Sequence, residues 1–244
     1  MSGRDRLYDT PGEEAREFVF DERVVRVFPD MIDRSVPGYG LIVPMVGLLA
    51  RRYAQDDSTL YDLGCSLGAV ALAMSQAVRA RNSRIVAVDS SAAMIARLQE
   101  ILGTVESKGS VPIHPVCKDV RDMQVENASV VALNFTLQFV PPEDRLALLR
   151  SIAAGLRPGG ILLLSEKIRF EERCEQSLQT AWHHDFKRAQ GYSDLEISRK
   201  RDALENVLKP ESLPEHRDRL LAAGFGAVYP WFQAFNFISL VALR

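Results

Sequence analysis

The residues of this chain best suited to bind a ligand form a short glycine-containing string, D-L-G-C-S-L-G at residues 62–68. The string follows an apolar run and precedes a helical pattern. Glycines at such a junction let the backbone turn tightly and approach a ligand closely. A D-x-G-x-x-x-G string also fits a plain strand-to-helix turn. Gly64, Cys65 and Ser66 are therefore candidate binding residues, and the neighbouring strand ends must strengthen the case.

Polar residues follow the next three apolar runs as well. Asp89 and Ser90 come directly after the second run, where an acidic side chain can accept hydrogen bonds from both hydroxyls of a ribose. Asp119 and Val120 follow the third run, and a short acid there can accept from the amino group of adenine. Asn134 ends the fourth run. Because open α/β sheets bind ligands at the carboxyl ends of their strands, these positions predict an adenosine-binding site.

Apolar runs and helical patterns alternate through the middle of the chain, which predicts a parallel sheet with helices on both faces. Each predicted helix connects two strands and therefore brings consecutive strand ends to one edge of the sheet. The predicted strands are 59–63, 84–88, 111–116, 129–134 and 161–165, and the predicted helices are 69–80, 92–102 and 143–156.

Additional segments flank this alternating part. Residues 20–55 are predicted to form a helical cover before the first strand, and residues 170–210 a long, polar helical insertion. A helix and two strands, at 214–223, 227–232 and 237–243, are predicted to close the chain. We expect residues 1–244 to form a single domain in which residues 1–19 are loosely ordered, as chain termini commonly are.

Composition narrows the class of protein. With 47% hydrophobic and 25% charged residues, the chain has an ordinary globular composition. Thirty Lys and Arg residues against 32 Asp and Glu residues give a formal net charge of −2, whereas a protein that holds nucleic acid by itself is usually basic. We therefore expect no direct contact with nucleic acid.

Cysteine usage and apolar runs predict the compartment. The three cysteines are widely spaced and indicate neither a disulfide framework nor a zinc site, so reduced thiols in the cytoplasm are expected. The N-terminus carries charges where a signal peptide needs an apolar stretch. The longest apolar run, residues 41–50, is too short to span a bilayer, which predicts a protein without membrane contact.

At this point the sequence resembles class I S-adenosylmethionine-dependent methyltransferases. Residues 62–68 look like their first motif, with Ser66 in place of a usual glycine, and residues 157–160 look like the turn before their fifth strand. The resemblance implies a Rossmann-like, mostly parallel sheet of seven strands with the last strand antiparallel. NAD is the weaker alternative ligand, because a dinucleotide needs room for a pyrophosphate at the first helix terminus.

Longer strings outside that general pattern resemble the carboxy-S-adenosyl-L-methionine synthase family. The resemblance runs from about residue 3 to the C-terminus, and the general methyltransferase pattern does not supply these strings. They are Phe20–Val24, Phe28–Ile32, Arg34–Tyr39, Asn134–Phe139, His184–Arg188 and Phe235–Phe237.

The resemblance to that family implies an enzyme that transfers carboxyl rather than methyl. Prephenate donates the carboxyl group, and S-adenosyl-L-methionine accepts it as a substrate. The products are carboxy-S-adenosyl-L-methionine and phenylpyruvate, and no metal is involved. A partner enzyme then uses the first product to modify the wobble uridine of tRNA to cmo5U. The family also implies a homodimer, and the low net charge fits a protein that need not touch tRNA itself.

The family resemblance also selects two residues outside the strand ends. Arg201, in the insertion, is expected to grip the added carboxylate, from its own subunit or from a neighbouring one, because a guanidinium binds carboxylates bidentately. Tyr39 is expected to reach the ligand from the loop before the sheet. Without the resemblance, the basic cluster around Arg201 reads as a solvated helix face, with Glu196 and Lys200 as an ordinary surface pair.

Several other polar residues of the insertion have a plainer interpretation. His183 and His184 are adjacent, so on a helix they point about 100° apart and do not readily share a metal ion. Lys187 and Arg188 are interpreted as a solvated charge pair. No metal site is predicted.

Two other functions stay open on the same fold. One is an ordinary small-molecule methyltransferase, and the other is a non-catalytic S-adenosylmethionine-binding partner of a tRNA-modifying enzyme. Fold alone does not separate them, because many functions share it. The sequence also leaves open where prephenate binds and which group deprotonates the sulfonium methyl.

Overall fold

The computed structural model describes residues 3–5, 7, 20–104, 111–204 and 207–244. Two helices come before the sheet, α1 (Glu22–Ser35) and α2 (Tyr39–Tyr53), as the predicted helical cover requires. Asp21 begins α1, since its carboxylate accepts hydrogen bonds from the amides of Arg23 and Val24.

A seven-stranded sheet with the strand order β3-β2-β1-β4-β5-β7-β6 forms the centre of the molecule. Neighbouring strands from β3 to β5 run parallel, and β7 runs antiparallel to both β5 and β6. The predicted fold class is confirmed. The strands are β1 (Thr59–Leu63), β2 (Arg84–Asp89), β3 (Ile113–Cys117), β4 (Ala128–Asn134), β5 (Leu156–Lys167), β6 (Ala227–Ala234) and β7 (Phe237–Leu243).

Helices cover both faces of the sheet, which explains why the central strands are continuous apolar runs. All residues of β1 are buried, and so are all of β4 except Asn134 at its end. Strand order reverses between β1 and β4, and ligands of open α/β sheets bind at such a switch point. The connecting helices are α3 (Ala69–Ala77), α4 (Ala92–Thr104) and α5 (Pro142–Gly155).

The start of the fifth strand differs from the prediction. The strand begins at Leu156, so the turn expected at residues 158–160 lies inside it. Gly159 adopts a φ of +76°, and the pairing with β4 shifts register between Ala128 and Val130. An irregularity of this kind lets a strand bend without ending, which the Pro-Gly-Gly composition alone does not reveal.

The predicted insertion consists of α6 (Arg173–Ala189) and α7 (Asp194–Leu204), and α6 packs against α1. The last helix, α8 (Leu213–Ala222), begins with a capping box between Ser212 and Glu215. Within the described ranges, none of the helices combines the length and hydrophobicity that a bilayer crossing requires.

Most of the N-terminal segment predicted to be loosely ordered, residues 1–19, lies outside the described residues. Asp5 is described, and it corrects that prediction locally because its exposed fraction is only 2%. The Tyr192 hydroxyl donates to its carboxylate at 2.5 Å, and the Lys200 ammonium pairs with it at 3.5 Å. Tertiary contacts with the insertion thus hold this residue in place. The single-domain assignment stays a prediction.

Candidate active site

A cavity opens at the carboxyl ends of β1, β2 and β4, and α1, α6 and α7 close its far side. It contains every residue predicted from the strand ends. It also contains Tyr39, which was predicted in the loop before the sheet but is the first residue of α2. Together these residues are Tyr39, Gly64, Cys65, Ser66, Asp89, Ser90, Asp119, Val120 and Asn134.

The loop after β1 has a backbone shape that its glycines permit. The amides of Gly64 and Cys65 both donate to the carbonyl oxygen of Val88, at 2.8 and 2.9 Å. Gly64 has a φ of +82°, and a Cβ at this position would stand 2.1 Å from the Thr136 hydroxyl oxygen. Ser66 also lies in the left-handed region, with a φ of +47°, at the position where the methyltransferase motif usually has glycine.

Asp89 links this loop to the start of α4. One carboxylate oxygen accepts from the amide of Ser66 and the other from the amide of Ser91, each at 2.9 Å. Burial raises the pKa of Asp89, although both amide bonds act to lower it. A carboxylate accepts about four hydrogen bonds, so lone pairs remain for a ligand. Two local contacts therefore orient an acceptor toward the cavity.

Asp62 is a cavity residue that the sequence analysis placed in the motif but not in the site. Its exposed fraction is 1%, and it accepts from the amide of Ala71 at 2.9 Å. Burial raises its pKa to about 7, and the nearby Asp89 carboxylate adds to the increase. Burial and these two acids also raise the pKa of the Cys65 thiol, which keeps the thiol neutral and unsuited to act as a nucleophile.

Asp119 caps the short 3-10 turn Val120–Asp122 by accepting from the amide of Arg121 at 2.8 Å. The guanidinium of Arg121 also donates to both of its carboxylate oxygens, at 3.0 and 2.8 Å, and these bonds lower its pKa. The acid stays ionised and is held at the end of β3.

Asn134 and Tyr39 bring further polar atoms to the cavity. The Oδ1 atom of Asn134 is buried and has no hydrogen-bond partner in the part of the chain that the structure describes. Because an unpaired buried acceptor is costly, this atom suits a ligand donor such as an ammonium group. Burial, together with the charges of Asp62 and Asp33, raises the pKa of Tyr39, so its hydroxyl stays neutral.

Aromatic rings line the middle of the cavity. Phe20 contacts Phe139 edge to face, with ring centroids 5.6 Å apart, and Phe135 contacts Phe237 at 5.9 Å. Phe135 has a φ of +60°, a strained value for a bulky residue, and such strain is concentrated at functional sites. Flat aromatic faces favour both planar ligands and a sulfonium cation.

The far side of the cavity is basic. Lys167 at the end of β5, Lys187 on α6 and Lys200 on α7 line it, and we refer to these three residues as the lysine wall. Burial, with the nearby Lys200 and Lys167, lowers the pKa of Lys187 to about 7. Burial also lowers the pKa of Lys200, to about 8, and that of Lys167.

His183 lies beside the lysine wall. Its Nε2 atom is 2.9 Å from the carbonyl oxygen of Ser35, so the ring donates there. Burial and the charges of Lys187 and Lys167 lower the pKa of His183 to about 2, which keeps the ring neutral. The Phe237 ring packs against it edge to face at 4.9 Å and connects the lysine wall to the aromatic rings.

Comparison with known proteins identifies the family. A family model described as a methyltransferase domain matches residues 60–160. The carboxy-S-adenosyl-L-methionine synthase of Geobacter metallireducens is 58% identical over 240 residues, which cover 98% of each chain. That of Vibrio cholerae is 50% identical over 244 residues, covering 100% of this chain and 98% of the other. The chain belongs to the carboxy-S-adenosyl-L-methionine synthase family.

Solved structures show the same fold at low sequence identity. Human N-acetylserotonin methyltransferase in complex with S-adenosylmethionine has a TM-score of 0.63 at 16% identity, covering 99% of this chain and 63% of the human chain. A putative S-adenosylmethionine-dependent methyltransferase from Methanococcus maripaludis has a TM-score of 0.58 at 18% identity and covers 95% of this chain and 96% of the other. The methyltransferase-like fold is thus confirmed independently of the close relatives.

In this member of the carboxy-S-adenosyl-L-methionine synthase family, Arg201 lies on the surface of its own chain. Its side chain is 64% exposed, pairs with Asp202 at 3.0 Å and does not line the cavity of its own chain. This conformation therefore does not support a role for Arg201 in the site of its own subunit. Its role from a neighbouring subunit stays a prediction, as do the binding roles of the strand-end residues.

Two interpretations of the insertion were wrong. Lys187 was expected in a solvated charge pair, and Glu196 with Lys200 in a surface pair, yet the exposed fractions of these three side chains are 9%, 9% and 6%. Lys200 pairs with Asp5 instead. The packing of the insertion against α1 turns one face of each polar helix inward. Because these helices contain few hydrophobic residues, their sequences do not reveal which face is buried. Among the described residues, the structure shows no cluster of potential metal ligands.

Proposed function

We propose that this chain converts S-adenosyl-L-methionine and prephenate into carboxy-S-adenosyl-L-methionine and phenylpyruvate. Nearly full-length similarity to enzymes named for the first product supports the proposal. The structural observation that carries it is one cavity with acidic acceptors at one end and the lysine wall at the other. A cationic nucleoside substrate and an anionic co-substrate need such opposite ends.

The acidic end suits S-adenosyl-L-methionine. Asp89 presents an oriented carboxylate for the ribose hydroxyls, with Ser90 beside it. Asp119 and Val120 would meet the edge of the adenine, and the unpaired oxygen of Asn134 would accept from the methionine ammonium. The remaining contacts would come from the loop residues Gly64, Cys65 and Ser66 and from the Tyr39 hydroxyl.

The lysine wall distinguishes this proposal from an ordinary methyltransferase. A methyl acceptor does not need to be negatively charged. Buried ammonium groups that face a neutral acceptor would therefore destabilise the complex, because nothing would compensate their charge. Prephenate carries two carboxylates, which these cations can neutralise. The basic end therefore favours the carboxyl-transfer reaction over methylation of a neutral acceptor.

The atoms of this reaction balance without a further reactant. The C–C bond between the prephenate ring and its carboxylate breaks, and its electron pair makes the ring aromatic while the 4-hydroxyl group departs. One C–H bond of the sulfonium methyl group breaks, and that proton leaves with the hydroxyl as water. A new C–C bond joins the carboxyl carbon to the former methyl carbon. A cavity that excludes bulk water keeps these fragments together.

The added carboxylate requires a cation of its own, and we assign it to Arg201 of a second subunit in a homodimer. Arg201 is exposed in the single chain, on the insertion helix α7, so a partner subunit can receive it. The guanidinium fork matches a carboxylate better than an ammonium does. The product would pass to a tRNA carboxymethyl-transferring enzyme in the cytoplasm, without direct contact between this chain and tRNA.

The decisive experiment is mass spectrometry of the nucleoside product. Purified protein incubated with S-adenosyl-L-methionine and prephenate should yield phenylpyruvate and a cofactor heavier by one carboxyl group. Methylation of an added acceptor without that product would instead show a methyltransferase. Binding of S-adenosyl-L-methionine with no turnover of prephenate would show a non-catalytic binding protein.

A further inference from the structure

The three residues of the lysine wall differ in what holds them. The Lys200 ammonium pairs with Asp5 at 3.5 Å and donates to the Ser35 hydroxyl at 2.9 Å. The ammonium groups of Lys167 and Lys187 also face the cavity, but the structure gives them no hydrogen bond and no ion pair within the described part of the chain. Two of the three cations thus lack an internal partner.

This arrangement is unfavourable in the absence of a ligand. Lys187 has an exposed fraction of 9%, and Lys167 and Lys200 are close enough to disfavour its charged form. A buried charge without a partner destabilises a fold, and neighbouring like charges add to that cost. The Asp5 carboxylate favours the charged form of Lys187, but it already pairs with Lys200, and the neutral His183 ring adds no negative charge. A bound anion would supply it.

We propose that Lys167 and Lys187 form the subsite for the 2-oxo acid carboxylate of the co-substrate, the carboxylate that is not transferred. This inference rests on the proposed function. Lys200 is a positioning residue, because Asp5 and Ser35 already hold its ammonium group. The co-substrate ring would then lie beside His183 and Phe237, on the path from the lysine wall to the sulfonium.

Reaction chemistry decides which of the two carboxylates the lysines hold. The ring carboxylate must give up its electron pair to the ring as its C–C bond breaks, and a tightly paired cation would stabilise the starting anion against that loss. The 2-oxo acid carboxylate keeps its charge from prephenate to phenylpyruvate. An ammonium pair there anchors substrate and product alike without opposing the reaction.

Phenylpyruvate is therefore the discriminating probe, since it retains only the 2-oxo acid carboxylate. We would measure calorimetric binding of phenylpyruvate and of prephenate to protein saturated with S-adenosylhomocysteine. K167M and K187M should each weaken binding of both ligands by at least about tenfold, the loss expected for a buried charge-assisted contact. Binding of S-adenosylhomocysteine should change less than about twofold, because these lysines lie at the other end of the cavity.

Two variants serve as controls. K118M removes an exposed lysine that does not line the cavity, and it should leave all three affinities unchanged. K200M should lower the melting temperature because it removes the ion-pair partner of the buried Asp5 carboxylate. K187M should instead raise the melting temperature of the ligand-free protein, which a purely structural lysine would not do.

Proton uptake gives a second measurement that does not depend on affinity. Among the described residues, the charged and titratable groups coupled to Lys187 are Lys167, Lys200, Asp5, His183 and His184. Since burial and the two lysines lower the pKa of Lys187 to about 7, a bound carboxylate should raise that pKa and draw in a proton at pH values above it. Calorimetry in buffers of different ionisation enthalpy should show this uptake on phenylpyruvate binding, and K187M should reduce it.

The outcomes separate this inference from the proposed function. Weakened prephenate binding with unchanged phenylpyruvate binding would overturn the inference, because the lysines would then hold the transferred carboxylate. Unchanged binding of both ligands would overturn it as well. Failure of the wild-type protein to form a carboxylated product would overturn the proposed function alone, and lysine-dependent phenylpyruvate binding by that protein would still support the subsite. K167Q and K187Q replace any methionine variant that does not fold.

Discussion

The two ends of the cavity are built in different ways. At the acidic end, the Asp89 carboxylate accepts hydrogen bonds from the amides of Ser91 and Ser66, which lie two and 23 positions away in sequence. At the basic end, Lys167, Lys187 and Lys200 come from β5, α6 and α7, and Lys200 is held by Asp5 from near the start of the chain.

This difference shows that the charges at the two ends of the cavity are stabilised in different ways. Backbone amides hold Asp89, and an amide together with the Arg121 guanidinium holds Asp119, so that end is prepared before a ligand arrives. Two of the basic side chains depend on a ligand for their counter-charge. We therefore expect changes of the acidic side chains to affect mainly nucleoside binding. Changes of the unpaired lysines should weaken anion binding and raise stability.

The largest effect is expected from Asp89→Ala. Two ribose hydrogen bonds to a carboxylate, worth about 1.5–3 kcal/mol each, would be lost. Calorimetry should show S-adenosylhomocysteine binding weaker by about 3–6 kcal/mol, whereas Asp89→Asn should retain part of the affinity through its remaining acceptor. Asp218→Ala, an exposed acid on α8, is the matched control. Unchanged affinity in the alanine variant would remove Asp89 from the ribose site.

Arg201→Ala tests whether a second cationic element, supplied by a partner subunit, completes the cavity. The variant should weaken binding of carboxy-S-adenosyl-L-methionine by about 2–5 kcal/mol if the pair is buried, and binding of S-adenosyl-L-methionine far less. Arg201→Lys should restore only part of the difference because it lacks the planar fork.

Parallel titrations with the two nucleosides measure this selectivity directly. Mixing Arg201→Ala protein with protein inactivated at Asp89 should restore some activity if the arginine acts across a dimer, because mixed dimers would contain one intact site. Equal losses for both nucleosides would contradict carboxylate recognition by Arg201.

Gly64→Ala tests the shape of the nucleoside loop. A Cβ at residue 64 would stand 2.1 Å from the Thr136 hydroxyl oxygen at a φ of +82°. Strain and overpacking together should cost about 3 kcal/mol of unfolding free energy and weaken nucleoside binding. Gly103→Ala is the control, since nothing lies within 4 Å of its Cβ on α4, and it should be neutral or slightly stabilising. Equal unfolding curves for the two variants would show that a Cβ at residue 64 does not clash with Thr136.

Lys187→Met should change the free energy of unfolding with a sign opposite to that of Gly64→Ala. Burial lowers the pKa of Lys187 from 10.5 to about 7, so the unfolded chain binds more protons between these values. By linkage, this group makes wild-type stability rise with pH through that window. The variant should lose that slope and be more stable than the wild type near pH 7. Chemical denaturation at several pH values measures both, and a less stable variant would contradict an unpaired buried ammonium.

The acidic end was predictable because its signals are local. The loop at residues 62–68 and the acids at 89 and 119 lie directly after apolar runs, and a parallel sheet brings such ends together. Asp62 is the partial exception. It belongs to the motif, but its burial and its bond to the amide of Ala71 emerge only from the packing of α3 against β1.

The basic end was not predictable in the same way. Lys187 and Lys200 stand in polar helices whose composition fits a solvated face, and Lys167 looks like an ordinary end of a strand. The inward orientation of Lys187 and Lys200 depends on how α6 packs against α1 and α7 against α6, and on Asp5, which is distant in sequence. No pattern within a single element carries that information.

The sequence by itself determined the alternating strands and helices of the sheet and the polar strand ends that line the cavity, because strand and helix periodicities and turn glycines act over a few residues. The tertiary structure alone decided that three lysines from separate elements share one wall, and that, within the described part of the chain, only one of them has a counter-charge. Burial and pairing of charge depend on which distant segments come into contact, so they are properties of the folded chain rather than of any segment of it.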